Sequence, residues 1–148
     1  MTLLLVHHAQ AMGPHLDSRR PLSSDGQATA ERLAAAVAAR GFVPELIWHS
    51  GKLRARQTAE ALWLAGDHRA AIAAVRGLQP GDPPSWLRDQ IGGETRSVAL
   101  VGHMPHLPAL FAALQRSSHA LAGFPLHGCV GLEADGDAWR EVWRFRAD

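Results

Sequence analysis

The chain has 148 residues, of which 47% are hydrophobic and 20% charged, and its formal net charge is +1. This length and composition are typical of one globular domain, and the single cysteine excludes an internal disulfide. A net charge near zero gives no global field for nucleic acid or an anionic membrane, and no apolar stretch approaches the roughly 20 residues of a membrane span. We therefore expect one domain over residues 1–148, located in the cytoplasm, with no nucleic-acid or membrane partner.

The first half of the chain predicts alternating strands and helices. Residues 3–6 form a continuous apolar run, which is typical of a strand covered on both faces. Ser23 offers an N-cap to a helix with apolar residues at helical spacing, and Gly41 ends that helix. A second strand is predicted over 46–49, and a second helix begins near Lys52.

The second half continues this alternation as far as the last helix. A short strand is predicted over 71–75, followed by a loop rich in proline and glycine over 78–84. A short helix is expected around Trp86, and 98–101 is another apolar strand. Apolar residues at helical spacing after Pro105 predict the last helix.

The end of the chain predicts an antiparallel hairpin. Apolar and polar residues alternate around Val130 and again over 139–146, on either side of the turn residues 135–136 (Asp-Gly). We therefore predict an α/β fold: a three-layer α/β/α sandwich with a mostly parallel central sheet and an antiparallel C-terminal edge.

Histidines follow two of the predicted covered strands. His7 and His8 come directly after the first, and His103 follows residues 98–101. Because open α/β sheets bind ligands at the carboxyl edge of their parallel strands, the two strand ends indicate one shared pocket. Between them, residues 50–58 form a cationic turn that opens a helix.

These segments carry a family resemblance. Residues 7–9 (HHA), 50–58 (SGKLRARQT) and 101–105 (VGHMP) resemble, in order, three signatures of histidine phosphatases of the phosphoglycerate mutase-like superfamily. The resemblance is to its short branch, the SixA-type phosphohistidine phosphatases. Those signatures are Arg-His-Gly or Arg-His-Ala, Ser-Pro-x-x-Arg-Ala-x-Gln-Thr and Val-Gly-His-Asn-Pro. This chain departs from them at His7, Gly51 and Met104. Weaker matches lie at 20–23 and 125–128.

The resemblance implies a set of roles and a single histidine phosphatase domain with a phosphoglycerate mutase-like fold. His8 would attack phosphorus and be transiently phosphorylated, and His103 would donate a hydrogen bond to the developing charge. Arg54 would clamp two phosphate oxygens, with His7 and Arg20 as further phosphate-binding residues. The implied substrate is a phosphorylated protein, namely a histidine-containing phosphorelay or carrier protein. No cofactor and no metal is expected.

The general acid is less evident. Larger relatives place a carboxylate over the site, and the candidate here is Asp82, with Glu94 as a weaker one. A phosphohistidine substrate would need little protonation of its leaving group by a general acid, because imidazole is a better leaving group than an alkoxide. The chain is also too short for long inserted lids, which favours a phosphate presented on another protein.

His7 stands where the family has arginine. Arginine supplies a permanent cation, whereas histidine, with a reference pKa of about 6.5, donates from both nitrogens only when protonated. Attack requires a neutral His8, while phosphate binding favours a charged His7. We therefore expect a phosphatase with a narrower, more acidic pH optimum, slowed roughly 10- to 100-fold by a loss of about 1.5–3 kcal/mol.

Three alternatives stay open at this point. The chain could be a general small phosphomonoesterase, a non-catalytic phosphate-binding module, or a metal-binding protein that uses His7, His8 and His103. The metal alternative is disfavoured because adjacent residues point to opposite sides of a strand and Arg54 would repel a cation. The remaining histidines are predicted to be surface or packing residues: His15, His49, His68, His106, His119 and His127.

Overall fold

Every predicted strand and helix is present in the computed structural model, which describes residues 2–116 and 123–148. The strands are β1 (Thr2–His7), β2 (Leu46–His49), β3 (Ala71–Ala74), β4 (Val98–Gly102), β5 (Cys129–Asp135) and β6 (Ala138–Phe145). The helices are α1 (Ser24–Ala39), α2 (Leu53–Ala65), α3 (Pro84–Gly92) and α4 (His106–Gln115). Among the described residues, no helix combines the length and the apolar content needed to cross a membrane.

The six strands form one mixed sheet in the order β3-β2-β4-β1-β5-β6. The pairs β2–β3, β2–β4 and β1–β4 are parallel. β5 runs antiparallel to β1, and β6 runs antiparallel to β5. The predicted α/β fold, with a mostly parallel sheet and an antiparallel C-terminal edge, is confirmed.

Helices cover both faces of the sheet and complete the three layers. In β1, Leu3 and Leu5 belong to one hydrophobic core together with residues of α3 and α4. Leu4 and Val6 belong to the opposite core together with residues of α1 and α2. This arrangement explains the continuous apolar run of the first strand, because alternate side chains point to opposite faces and both faces are covered.

The C-terminal hairpin contains an irregularity that simple alternation did not predict. The register shifts between Gly131, which pairs with Trp143, and Leu132, which pairs with Glu141. The extra residue on β6 is a bulge, and it moves the apolar side chains that follow to the other face. Trp139 therefore packs against the core of α3 and α4, and Trp143 against the core of α1 and α2.

The carboxyl ends of β1, β2 and β4 meet at one edge of the sheet. Because β5 is antiparallel to β1, the segment that precedes β5 enters at this same edge. There the backbone N–H of His7 donates to the carbonyl of Gly128 at 2.9 Å. A side chain on residue 128 would collide with the backbone of Phe145, so this close approach requires glycine.

Candidate active site

The structure brings His8 and His103 together at the carboxyl edge of the sheet. β1 and β4 are in register, with His7 opposite Gly102, and the backbone N–H of His8 donates to the carbonyl of Gly102 at 3.1 Å. The rings of His8 and His103 have centroids 5.1 Å apart, and both side chains are buried. One tetrahedral anion between the two strand ends would therefore contact both imidazoles.

His8 is held in the form that a nucleophile requires. Its Nδ1 lies 2.7 Å from the carbonyl oxygen of Ala9, and a carbonyl only accepts, so Nδ1 carries the proton and Nε2 keeps its lone pair. Burial lowers the pKa of His8 to about 4 in spite of this hydrogen bond, and the charge of Arg54 also lowers it. His8 is therefore neutral, with a basic nitrogen free, throughout the neutral pH range.

His103 presents a hydrogen-bond donor without a partner. Its Nε2 lies 2.6 Å from Oγ of Ser50, which also accepts the N–H of Lys52 at 3.3 Å. We assign the serine hydroxyl as the donor to Nε2, which leaves the ring proton of His103 on Nδ1. That Nδ1 is buried and has no partner among the described residues. Burial lowers the pKa of His103 to about 3, so this donor is a neutral imidazole.

Arg54 lies in the first turn of α2 and is also incompletely paired. Its Nε is buried and bonds to no other atom of the part of the chain that the structure describes. No side chain caps the helix start at Lys52, so the helix N-terminus contributes free N–H groups and partial positive charge. Burial, followed by the charge of Arg20, lowers the pKa of Arg54. A bound anion would accept hydrogen bonds from Nε of Arg54 and from the helix N–H groups, and it would offset the positive charge around them.

The turn before α2 differs from the one that the resemblance implies. Gly51, which stands where the related signature has proline, has φ of 90°. Proline cannot adopt this angle, since its ring fixes φ near about −65°. Here the N–H of Gly51 donates instead to Nδ1 of His49 at 3.1 Å, which ties the turn to the end of β2.

The loop between β1 and α1 brings Arg20 close to the site. Helix α2 holds this loop, because Oε1 of Gln57 accepts the backbone N–H of Leu22 at 2.7 Å. Nε of Arg20 donates to the carbonyl of Met12 at 3.1 Å, and the charge of Arg20 lowers the pKa of both His8 and Arg54. Arg20 thus adds to the positive potential around His8.

His7 is buried and neutral, contrary to the expectation of a charged phosphate-binding residue. Its Nδ1 accepts the backbone N–H of His127 at 2.8 Å, so neutral His7 carries its proton on Nε2. Burial, followed by the charges of His8 and His127, lowers the pKa of His7 to about 2. The expected conflict with a neutral His8 therefore does not arise in the free protein. The backbone N–H occupies the nitrogen that a second proton would need.

His127 is half-buried and packs beside these residues as a fourth imidazole. Its ring stacks on His7 with centroids 4.7 Å apart and planes 8° apart, and its centroid lies 5.8 Å from that of His8. Its Nδ1 lies 2.8 Å from the carbonyl oxygen of His8. The weak match at residues 125–128 was the available signal, because a segment that leads into an antiparallel strand enters at the carboxyl edge of its parallel neighbour.

The other histidines agree with their predicted surface or packing roles, except that His119 lies outside the described residues. His15 and His68 are exposed. His49 and His106 are buried.

The two candidate general acids make their contacts elsewhere. Oδ2 of Asp82 accepts the N–H of Gln79 at 2.9 Å within its own loop, and the Gln79 side chain donates to the carbonyl of Ser50 at 2.7 Å. Glu94 precedes β4, at the sheet edge opposite the imidazoles, and pairs with Arg96 at 2.7 Å. Hydrogen bonds from Arg96 lower the pKa of Glu94 to about 2. The structure thus gives Asp82 a part in shaping the loop beside Ser50 and removes Glu94 from the site.

Three imidazoles are close enough to be considered as metal ligands. One ring nitrogen from each of His7, His8 and His127 lies within 4.8 Å of the other two, so His127 replaces His103 in the set considered from the sequence. The rings of His7 and His8 are 4.4 Å apart, because β1 ends at His7 and its alternation does not extend to His8. The set fits a cation poorly, since Nδ1 of His7 already accepts a backbone N–H and Arg54 contributes positive charge to the cluster. We therefore derive no step through a metal.

These contacts provide the groups that phosphoryl transfer requires. A neutral imidazole with a free lone pair supplies a nucleophile for phosphorus. An unpaired guanidinium, an unpaired imidazole N–H and a helix N-terminus supply donors and positive charge for the equatorial oxygens. The groups that shift the pKa of His7, His8 and His103 electrostatically are all basic, which favours an anion over a cation.

Comparison with known protein families agrees with this class. The sequence model of the histidine phosphatase superfamily (branch 1) matches residues 3–79, just over half of the 148 residues. The chain therefore belongs to the histidine phosphatase superfamily. No curated protein sequence matches it at a significant level.

Solved structures show the same fold. The protein histidine phosphatase SixA complexed with tungstate superimposes with a TM-score of 0.87 at 20% identity, over 99% of this chain and 97% of that chain. A protein from Agrobacterium tumefaciens described as a phosphohistidine phosphatase SixA gives 0.82 at 29% identity, over 97% and 96%. A mycobacterial glucosyl-3-phosphoglycerate phosphatase gives 0.72 at 22% identity, over 96% and 98%. The fold is thus phosphoglycerate mutase-like, and membership of the histidine phosphatase superfamily supports hydrolase activity.

Proposed function

We propose that this protein is a phosphatase that hydrolyses phosphohistidine on another protein through a phosphorylated His8. The observation that carries the proposal is the convergence of one nucleophile and two unpaired donors. Nε2 of His8 has a free lone pair, while Nε of Arg54 and Nδ1 of His103 are buried without partners among the described residues. Buried polar groups are nearly always paired, so their common lack of partners points to a bound oxyanion.

The resident groups suffice for a two-step displacement. Nε2 of His8 attacks phosphorus while Arg54 and the helix N-terminus neutralise the equatorial oxygens. Nδ1–H of His103, oriented by Ser50, donates to the charge that develops there. The leaving group departs with its bonding electron pair, and water then attacks phosphorus to release inorganic phosphate and regenerate His8. The proposed chemistry is metal-independent.

The choice of substrate is supported by the leaving group and by the relatives. Imidazole departs more easily than an alkoxide, and no carboxylate of the described residues bonds to the imidazoles. Two structural relatives are described as phosphohistidine phosphatases, one of them 29% identical to this chain. The partner would therefore be a histidine-containing phosphorelay or carrier protein.

A substrate comparison tests this proposal. The protein, freed of metals with a chelator, is given matched phosphohistidine and phosphoserine peptides, and phosphate release is measured. We expect kcat/KM to be at least about tenfold higher for phosphohistidine. Equal or higher values for phosphoserine would favour a general phosphomonoesterase. Oxyanion binding without turnover would favour a phosphate-binding module. Activity lost on chelation and restored by zinc would favour the metal site.

The pH dependence and variants of His7 test how this residue binds phosphate. Because the pKa of His8 is lowered to about 4, the attacking form is lost only as the pH falls through that value, so the titration of His8 itself lowers kcat/KM only below about pH 5. His7→Gln keeps a donor near the position of Nε2, so its kcat/KM stays within a few-fold of the original, whereas His7→Ala loses roughly 10- to 100-fold.

His7→Arg measures the cost of the missing cation. If the natural protein is weakened, this variant has a higher kcat/KM with the phosphohistidine peptide. An unchanged or lower value would refute the weakening, and a maximum near pH 6 that disappears in His7→Gln would show that a charged His7 binds the phosphate after all.

A further inference from the structure

We propose that His127 is the general acid and base of this reaction, and that the leaving group occupies the groove beside it. The inference rests on the phosphatase activity proposed above and names a residue that the matched signatures do not include. The observation behind it is a juxtaposition: the ring of His127 stacks on His7, lies 5.8 Å from the ring of His8 between centroids, and lines an open groove.

The ring of His127 lies close to the proposed nucleophile. His127 stacks on His7 with centroids 4.7 Å apart, and one of its nitrogens lies within 4.8 Å of a ring nitrogen of His8. A group that gives a proton to the leaving atom must lie about one phosphoryl group away from the nucleophile, within hydrogen-bond reach of that atom. The ring centroids of His127 and His8 are 5.8 Å apart, which leaves room for a phosphoryl group beside both rings.

One hydrogen bond determines which nitrogen of His127 holds a fixed proton. Nδ1 of His127 lies 2.8 Å from the carbonyl oxygen of His8, so Nδ1 carries a proton and serves as the fixed end of the ring. Nε2 is then the nitrogen that gains and loses a proton. The backbone carbonyl of His8 thus orients the ring of the proposed acid. In other catalytic sets a third group orients the base in the same way.

A groove lies beside the ring of His127. His127 shares a cavity of about 460 Å³ with Gln10, Phe124, Leu126 and Arg146. Leu126 is 64% exposed, so the groove has an accessible apolar side next to His127. A larger cavity of about 670 Å³ lies at the opposite edge of the sheet, beside Thr2, Ser97 and Glu133, and is remote from the chemistry. The groove at His127 adjoins the proposed acid and is suited by its position to hold the residue that carries the phosphoryl group.

His127 has φ of 53°, a left-handed conformation that histidine adopts more readily than most residues other than glycine. Asp82, the other candidate for the general acid, accepts the backbone N–H of Gln79 within its own loop.

The proton balance closes over both steps. In the first, Nε2 of His8 bonds to phosphorus, the bond from phosphorus to the leaving nitrogen or oxygen breaks, and that atom takes the bonding pair and the proton from Nε2 of His127. In the second, Nε2 of His127 takes a proton from water, the water oxygen bonds to phosphorus, and the electron pair of the phosphorus–nitrogen bond returns to His8. Inorganic phosphate leaves, and His127 is protonated again.

The test uses His127→Asn. Asparagine tolerates the left-handed backbone and its amide can donate to the carbonyl of His8, but it has no equivalent of Nε2. His68→Asn is the matched control, because His68 is exposed and also left-handed, with φ of 61°. Both proteins are assayed with 4-nitrophenyl phosphate and phenyl phosphate in the presence of a chelator, and thermal unfolding is recorded alongside.

We expect His127→Asn to lower kcat/KM for phenyl phosphate by about 10²–10⁴-fold and to change it much less for 4-nitrophenyl phosphate, whose leaving group needs little protonation. With 4-nitrophenyl phosphate the variant should release about one equivalent of nitrophenol in a burst, because phosphorylated His8 accumulates when water is no longer activated. His68→Asn should match the original protein in both assays.

Failure of the proposed role of His127 and failure of the proposed phosphatase activity give different results. Equal losses for both substrates without a burst, or no loss at all, would overturn the role of His127 and leave the phosphatase proposal standing. An original protein that hydrolyses none of the phosphorylated substrates would overturn the phosphatase proposal, and the role of His127 would fall with it.

Discussion

Replacing His8 with alanine is expected to lower kcat for a phosphohistidine peptide by about 10⁴-fold or more, as removal of a nucleophile does in enzymes with a covalent intermediate. His8 is only 8% exposed, and the hydrogen bond at its Nδ1 leaves a free lone pair on Nε2 at the strand end. Phosphate release is measured for the original protein and His8→Ala, and the original protein is quenched during turnover to locate the phosphoryl group by mass.

His15→Ala is the control for that experiment, because His15 is an exposed histidine of the loop that follows β1. It should retain full activity. His8→Ala should still bind tungstate or phosphate, since Arg54 and His103 are unchanged. A variant that keeps more than about 1% of the activity, or a phosphoryl group trapped on another residue, would show that His8 is not the nucleophile.

The fold was predictable because the cores impose strong local patterns. Each face of β1 is covered by a pair of helices, which is why residues 3–6 are continuously apolar, and the helix stripes recur at their expected spacing. The bulge in β6 was not predictable, since it depends on which residues of the two strands pair. Its consequence, that Trp139 and Trp143 face opposite cores, follows from the register alone.

The site was predictable where it lies at the ends of apolar strands. His8, His103 and Arg54 could be grouped from sequence because parallel strands deliver their last residues to one edge. His127 could not, because its place depends on β5 returning antiparallel beside β1, and its ring is fixed by the carbonyl of a residue 119 positions away. The neutral state of His7 was equally unpredictable, since the backbone N–H of His127, which is 120 positions away, determines it.

Replacing Arg54 with lysine is the second change expected to have a large effect. The planar fork of arginine binds two oxygens at once, whereas lysine offers a point charge from a different position. Contacts of arginine to a transferring phosphoryl group are worth about 10³–10⁵-fold, and lysine recovers part of the charge, so kcat/KM should fall about 100-fold in Arg54→Lys and about 10⁴-fold in Arg54→Ala. Inhibition by inorganic phosphate should weaken in parallel.

Arg56→Lys is the matched control, because Arg56 lies on the same helix two positions further along, is exposed, and pairs with Glu60 at 3.0 Å. It should leave activity unchanged. The midpoint of thermal unfolding distinguishes a phosphate-binding role of Arg54 from a structural one. Because Nε of Arg54 is buried without a partner among the described residues, removing the guanidinium should leave stability unchanged or raise it. Equal activity in Arg54→Lys and Arg56→Lys, or a loss of activity in Arg54→Lys that only follows a lowered midpoint, would show that Arg54 does not clamp the phosphate.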